Sequence, residues 1–435
     1  MFIVVLQSRN TTYWATLLAA ALLCVSVSGQ QPKRTALPWI APLLPAEQAW
    51  LITLPAEPAA GGAMDVDRVY VPLKPPLERE QDVETPLSAS PTAPVQPTPL
   101  LANRPTGPLM VALNRETGIA EWTVSLASTW PPVVGAGVLY VAAEREIRAL
   151  DATTGRGLWS VALDGALREE MLLHGNLLIV LIEPDLLLGI ATDTRTVAWR
   201  RPIGEQAAVD LTADDRAVYV ATASGRLLRV LLHDGSLEWE ARLSESELSE
   251  PSVAEDRVLV GTRMGSSRAF FALDSDSGDV RWVWDARRMG GHPVGSAADD
   301  DVIFMAARDN VLRALNRGNG NQRWKHEIGT HAVEPPMTFG GIVIVTGINP
   351  TLSTFNAKTG APISTWLAPA SAELQGPPLI DPMLRPFRTS IVVILRDGRV
   401  TALRPTAMLF KEPALTPLAA LPGRPLQREA TPMKK

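Results

Sequence analysis

ALDATTGRGLW at 149–159 is the stretch on which the fold turns. Ala149-Leu150 closes a strand of alternating apolar residues, Asp151 to Gly155 make a tight turn, and Leu158-Trp159 open the next strand. An Asp at the start of such a turn can bond the backbone two residues on, and the Gly supplies a positive φ that other residues avoid. The phrase recurs as ALNRETGIAEW at 112–122, ALDSDSGDVRW at 272–282 and ALNRGNGNQRW at 314–324, and more loosely before Trp199, Trp239 and Trp366. The closing residues Trp122, Trp159, Trp199, Trp239, Trp282, Trp324 and Trp366 are 37, 40, 40, 43, 42 and 42 residues apart. A period near forty with several short strands per unit is the signature of a β-propeller, one blade to each unit.

The unit at 131–163 shows what a blade contains. Val133-Val134, Val138–Ala142, Glu146–Leu150 and Leu158–Leu163 read as four strands, separated by Gly135-Ala136-Gly137 and by the turn after Leu150. One four-stranded sheet cannot cover both of its faces, so neighbouring blades must cover each other. An indole on the fourth strand can bury about 150–250 Å² in that joint. The tryptophans, with turn glycines Gly118, Gly155, Gly235, Gly278, Gly320 and Gly360, are therefore expected to dock blades rather than to hold a cofactor. Two units depart from the pattern: Arg195 stands in the glycine position before Trp199, and the turn before Trp366 carries two extra residues, including Pro362.

The ends of the chain set the blade count. GPPLIDPMLRPFRTSIVVILRDGRVTAL at 376–403 supplies three strands and stops at Arg404-Pro405 without a closing Trp. A matching fourth strand lies near the N-terminus, where Ala49-Trp50-Leu51-Ile52-Thr53-Leu54 has the form of EWTVSL and LWSVAL. Trp50 becomes the eighth member of the series. The expected architecture is an all-β, eight-bladed propeller of four-stranded antiparallel blades, closed by the N-terminal strand so that no sheet edge of the seam is left open. Seven blades is the fallback.

The chain has 435 residues, net charge −5 and pI near 5.7. One ring absorbs most of that length, and no dominant basic patch exists to collect phosphates, so nucleic acid is not an expected partner. The apolar run at 11–29 follows Arg9 and ends in Val27-Ser28-Gly29, the small-residue pattern of a signal-peptidase site before Gln30. Its apolar core is short for a membrane span, which needs roughly 20 residues. A cleaved signal peptide is expected, an uncleaved N-terminal anchor being the competing reading. The single cysteine, Cys24, follows Leu23 rather than the small residue a lipoprotein needs, and a processed chain would hold no cysteine. The expected organisation is a signal peptide at 1–29, a linker at 30–48, the propeller at 49–403 and a Pro-rich tail at 404–435. A Pro-rich insertion at 72–108, with ten prolines, falls inside the first blade. The insertion and the tail both read as extended, unpacked chain.

The form A-[LF]-[DN]-x-x-[TS]-G-x-x-x-W resembles the quinoprotein-type, PQQ-like propeller repeat over about 50–403. In length and organisation the chain is similar to the BamB-like group of exported, single-domain, eight-bladed proteins. That resemblance implies a periplasmic, monomeric, non-catalytic scaffold without a cofactor. It implies as partner another envelope protein, a component of outer-membrane β-barrel assembly, with no small-molecule substrate. The alternative within the wider family is a pyrroloquinoline-quinone-dependent dehydrogenase with calcium. The resemblance would then require a clamp of adjacent cysteines, which the processed chain does not supply.

Other chemical signals are weak. Asp274 to Asp279 resembles the start of a calcium loop with Asp285 in twelfth place, but its glycine comes one place early and position twelve wants a bidentate Glu. Asp299-Asp300-Asp301 reads as a solvated turn, and His174, His233, His292, His326 and His331 show no ligand spacing. No catalytic, cofactor-binding or metal-binding residue is therefore expected. The candidate contact surfaces are loops between blades, such as Ala127–Trp130 and Ser244–Glu250.

Overall fold

Second and third strands that are largely apolar, with outer strands that alternate, build eight four-stranded antiparallel sheets. The computed structural model describes residues 46–75, 107–207, 211–263, 268–285, 290–339, 341–348, 351–368, 373–381 and 391–405. These belong to the unit Ala41–Lys435; the unit Met1–Ile40 lies outside the described residues. So do the apolar run at 11–29, most of the insertion at 76–106 and the tail from 406.

The first blade runs from the inner strand Ala63–Met64 through Arg68–Leu73 and Leu109–Asn114 to the outer strand Ala120–Ser125. Six blades follow at 133–162, 172–202, 212–242, 252–285, 293–327 and 337–367. The eighth combines Leu379–Ile380, Ile391–Ile394 and Arg399–Pro405 with the outer strand Ala46–Thr53 from the other end of the chain. Its inner strand adjoins that of the first blade, so the ring closes.

Each of the eight apolar clusters sits in one joint between neighbouring blades. Val69 and Val71 pack toward the eighth blade beside Trp50 and Val400, whereas Tyr70 packs toward the second beside Leu139 and Val141. Because both faces of the middle strands are covered, a second strand such as Leu177–Ile182 (LLIVLI) is apolar throughout, and its inner five residues are fully buried.

Pairing extends the strands past the boundaries that the repeat suggests. The N-terminal strand begins at Ala46 rather than 49 and pairs with Pro405, so Arg404-Pro405 is strand rather than tail. The insertion also starts later than 72. Pro72 lies within its strand, opposite Met110, and its carbonyl accepts a bond from the Ala59 N–H at 2.8 Å.

Candidate functional site: blade joints, loop face and axial cleft

Six of the eight joints share one arrangement. The turn glycine takes positive φ, from 69° at Gly320 to 76° at Gly278, with Gly118, Gly155, Gly235 and Gly360 between. The tryptophan of the preceding blade lies flat on it. A β-carbon at Gly155 would stand 2.6 Å from the Trp122 ring, and one at Gly278 would stand 2.7 Å from Trp239. Gly118 meets Trp50 in this way, Gly235 meets Trp199, Gly320 meets Trp282 and Gly360 meets Trp324. Each of these indoles also donates to a turn carbonyl three residues before the glycine. Trp50 Nε1 bonds the Arg115 oxygen at 2.8 Å, Trp199 the Leu232 oxygen at 2.7 Å and Trp239 the Ser275 oxygen at 3.0 Å.

Trp159 and Trp366 stand apart. Across from Trp159, Arg195 holds the left-handed turn at φ 61°. Among the described residues, Trp159 has no bond to the Thr192 carbonyl like those its counterparts make. Trp366 is not in the slot its place in the repeat suggests. The six other indoles whose own blade has such a turn pair with the residue two before the turn's first Asn, Asp or apolar position, as Trp324 does with Ala314. In the seventh blade Ser364 takes that slot opposite Thr354, and Trp366 pairs with Leu352, one pleat repeat further along. The two extra residues keep it on the same face of the strand but shift its level. Its neighbouring blade also has no third-to-fourth turn, because the outer strand there comes from the N-terminus.

The acidic strings serve the turns. Asp274 Oδ1 accepts the Asp276 and Ser277 N–H groups at 3.2 and 3.0 Å, while Oδ2 accepts Arg281 at 2.8 Å. The Arg281 bond, joined by the Ser277 backbone bond, pulls the Asp274 carboxyl down to about 2. Asp299 ends an inner strand, where burial and then Asp300 hold its carboxyl above the usual value; Asp301 is held low by Arg323. His292 faces the Thr262 carbonyl at 3.0 Å, and His326 packs on Phe355.

The connections between blades and the loops between second and third strands lie on the same side of the ring, since antiparallel strands alternate in direction. Ala127–Trp130 and Ser244–Glu250 belong to that side. At its centre is a cleft of about 270 Å³. Glu169 of the third blade and Glu334 of the seventh both line it, and those blades stand opposite each other in an eight-membered ring, so the cleft crosses the axis. Glu250 of the fifth blade and Arg263 and Arg308 from second-to-third loops complete its charged lining, with Pro293, Val294 and Pro335 as apolar wall. Arg263 also pairs with Glu247 at 3.2 Å. Val333, 42% exposed, lines the cleft, and Ile348, 57% exposed, lies on the second-to-third loop of the same blade, its N–H bonded to the His331 carbonyl.

The three glutamates were not singled out from the sequence, although a signal was present. Leu167-Arg168-Glu169, Leu248-Ser249-Glu250 and Ala332-Val333-Glu334 each place Glu two residues after the residue that bridges to the second strand.

The fold and its joints define the class: an eight-bladed propeller of the PQQ-like repeat type. The family model described as "Outer membrane protein assembly factor BamB" matches residues 106–212, 191–332 and 271–407, and the chain belongs to that family. Among curated relatives, the BamB of Yersinia pestis is 22% identical over 263 residues, 54% of this chain and 65% of that protein. The BamB of Shewanella oneidensis is 29% identical over 128 residues, 29% of this chain and 32% of its own length. The matched stretches thus span less than two thirds of either relative. The crystal structure of BamB from Moraxella catarrhalis superposes with a TM-score of 0.57 at 17% identity, covering 82% of this chain and 97% of that one.

Proposed function

We propose that the protein is a non-catalytic docking scaffold of the cell envelope, whose loop face holds another protein of outer-membrane β-barrel assembly. The observation that carries this reading is the family match over 106–407, and the loop face supplies chemistry suited to it. Carboxylates and arginines around an axial cleft give orientation and selectivity by charge complementarity. Val333 in the cleft and Ile348 on a second-to-third loop of the same face offer the apolar anchors on which binding energy concentrates. The acidic strings outside the cleft are engaged in holding turns, which is a structural use of their charge.

The reading is tested by cross-linking the full-length chain in an envelope that carries the assembly machinery and identifying what it captures. A β-barrel assembly protein is expected. Ile348→Asp and Glu334→Lys should each reduce capture while leaving the urea midpoint unchanged. Undiminished capture by both variants would remove the loop face from the reading. Dye-linked alcohol or sugar oxidation restored by calcium and pyrroloquinoline quinone would replace the scaffold with the dehydrogenase alternative.

A further inference from the structure

The devices that cross the blade joints are unevenly distributed. Six joints carry the tryptophan stacked on a left-handed glycine with its indole–carbonyl bond. Hydroxyls on inner strands add further stitches between the fourth and seventh blades. Thr212 donates to the Pro251 carbonyl at 2.7 Å, Ser252 meets Ser296 at 2.6 Å, and Thr338 donates to the Ala298 carbonyl at 3.1 Å. Ion pairs from buried arginines also cross two joints. Arg229 reaches Asp276 across the fourth-to-fifth joint, and Arg115 reaches Asp381 at 2.5 Å across the seam.

The joints between the second and third blades and between the seventh and eighth lack, among the described residues, the stacked tryptophan–glycine pair and the hydroxyl stitches. The first contains Trp159 facing Arg195, and its polar crossing is an exposed Arg200–Asp164 pair at 3.7 Å. The second contains Trp366 displaced from its slot, with no turn opposite. Both are filled instead by side chains such as Tyr140, Met171 and Leu178 in one and Ile344, Leu352 and Val393 in the other. Apolar burial is not directional, whereas a ring stacked on a turn and bonded to its carbonyl has one register. Joints held mainly by apolar burial resist sliding less than joints keyed by a stacked, bonded indole.

We propose that the ring flexes by shear at these two joints, as two arcs: blades three to seven, and blades eight, one and two. The cleft is lined from blades three, five, six and seven, so it moves as part of one arc while the other rocks beside its mouth. A protein docked across both arcs stiffens the ring; one confined to the cleft does not.

The test uses the full chain with Cys24→Ser and pairs of spin labels on exposed positions, in turns or, at Glu47, on the outer strand of the eighth blade. Thr153→Cys with Thr194→Cys spans the second-to-third joint, and Lys358→Cys with Glu47→Cys spans the seventh-to-eighth. Asn319→Cys with Lys358→Cys spans the keyed sixth-to-seventh joint as reference. Distance distributions across the two unkeyed joints should be broader than the reference by roughly twofold, because packed elements shear by about 1–2 Å. Adding Arg195→Gly supplies the missing key and should narrow only the second-to-third distribution. Equal widths at all three joints overturn the proposal, and so does a second-to-third distribution that Arg195→Gly leaves unchanged.

Discussion

Replacing Gly278 with alanine should destabilise the ring by more than backbone conformation explains, and Gly137 supplies the control. Both glycines have positive φ, 76° and 77°, but a β-carbon at Gly137 meets nothing within 4 Å. One at Gly278 stands 2.7 Å from Trp239 Cδ2 and 2.9 Å from Cε3. The left-handed conformation costs an alanine about 1–2 kcal/mol at either position. At Gly278 the indole must also retreat, weakening its bond to the Ser275 carbonyl, worth about 1 kcal/mol. Loss of close packing over one or two ring carbons adds about 1 kcal/mol more. Gly278→Ala should therefore lose about 3–4 kcal/mol and Gly137→Ala about 1–2 kcal/mol. Paired urea midpoints read the difference, and a double-mutant cycle with Trp239→Ala reads the coupling. Equal losses from the two alanine variants, or additivity with Trp239→Ala, would refute a docking role for the stacked pair.

Asp381→Asn leaves the Arg115 guanidinium buried without its counter-charge and should cost about 3–5 kcal/mol, while Arg115→Met with Asp381→Leu should cost less. Urea unfolding of both variants checks the order, and an equal or greater loss in the double variant would contradict it. The Asp274 carboxyl is depressed below its ordinary value of 3.8 to about 2, so its contribution is present above the ordinary value and is lost as pH falls through about 2. The stability gap between wild type and Asp274→Asn should thus be constant above that range and shrink across it; a gap unchanged at the acid end would contradict the assignment. Deleting Ala46–Thr53 uncovers the strand Arg399–Pro405 as a sheet edge. Light scattering should then show association that the intact chain does not, edge pairing being the cause.

Much of the fold was legible because it is local. Period-two alternation marks the strands, and Asp or Asn with Gly at fixed spacing marks the turns. Trp50, set in a stretch of the form of EWTVSL and LWSVAL, identifies the strand that closes the seam. The series places Trp366 against the cluster of its joint but not at its level, because counting along the chain does not reveal strand register. Two additional residues leave the repeat recognisable yet move the indole one pleat repeat along, and Ser364 fills the vacated level.

The sequence by itself determined the number of blades, from a spacing of about forty residues, and the closure of the ring, from a last unit lacking its fourth strand and a matching strand near the N-terminus. Only the tertiary structure decided what meets across the ring. Glu169, Glu250 and Glu334 lie about two repeats apart along the chain and face one cleft because the ring brings their connections to its axis. Arg115 and Asp381, near opposite ends of the chain, form a buried pair because the seam places the first blade beside the last. Which joints are keyed was decided there too, because a stacked indole needs the right level on its own strand and a turn on the next blade to receive it.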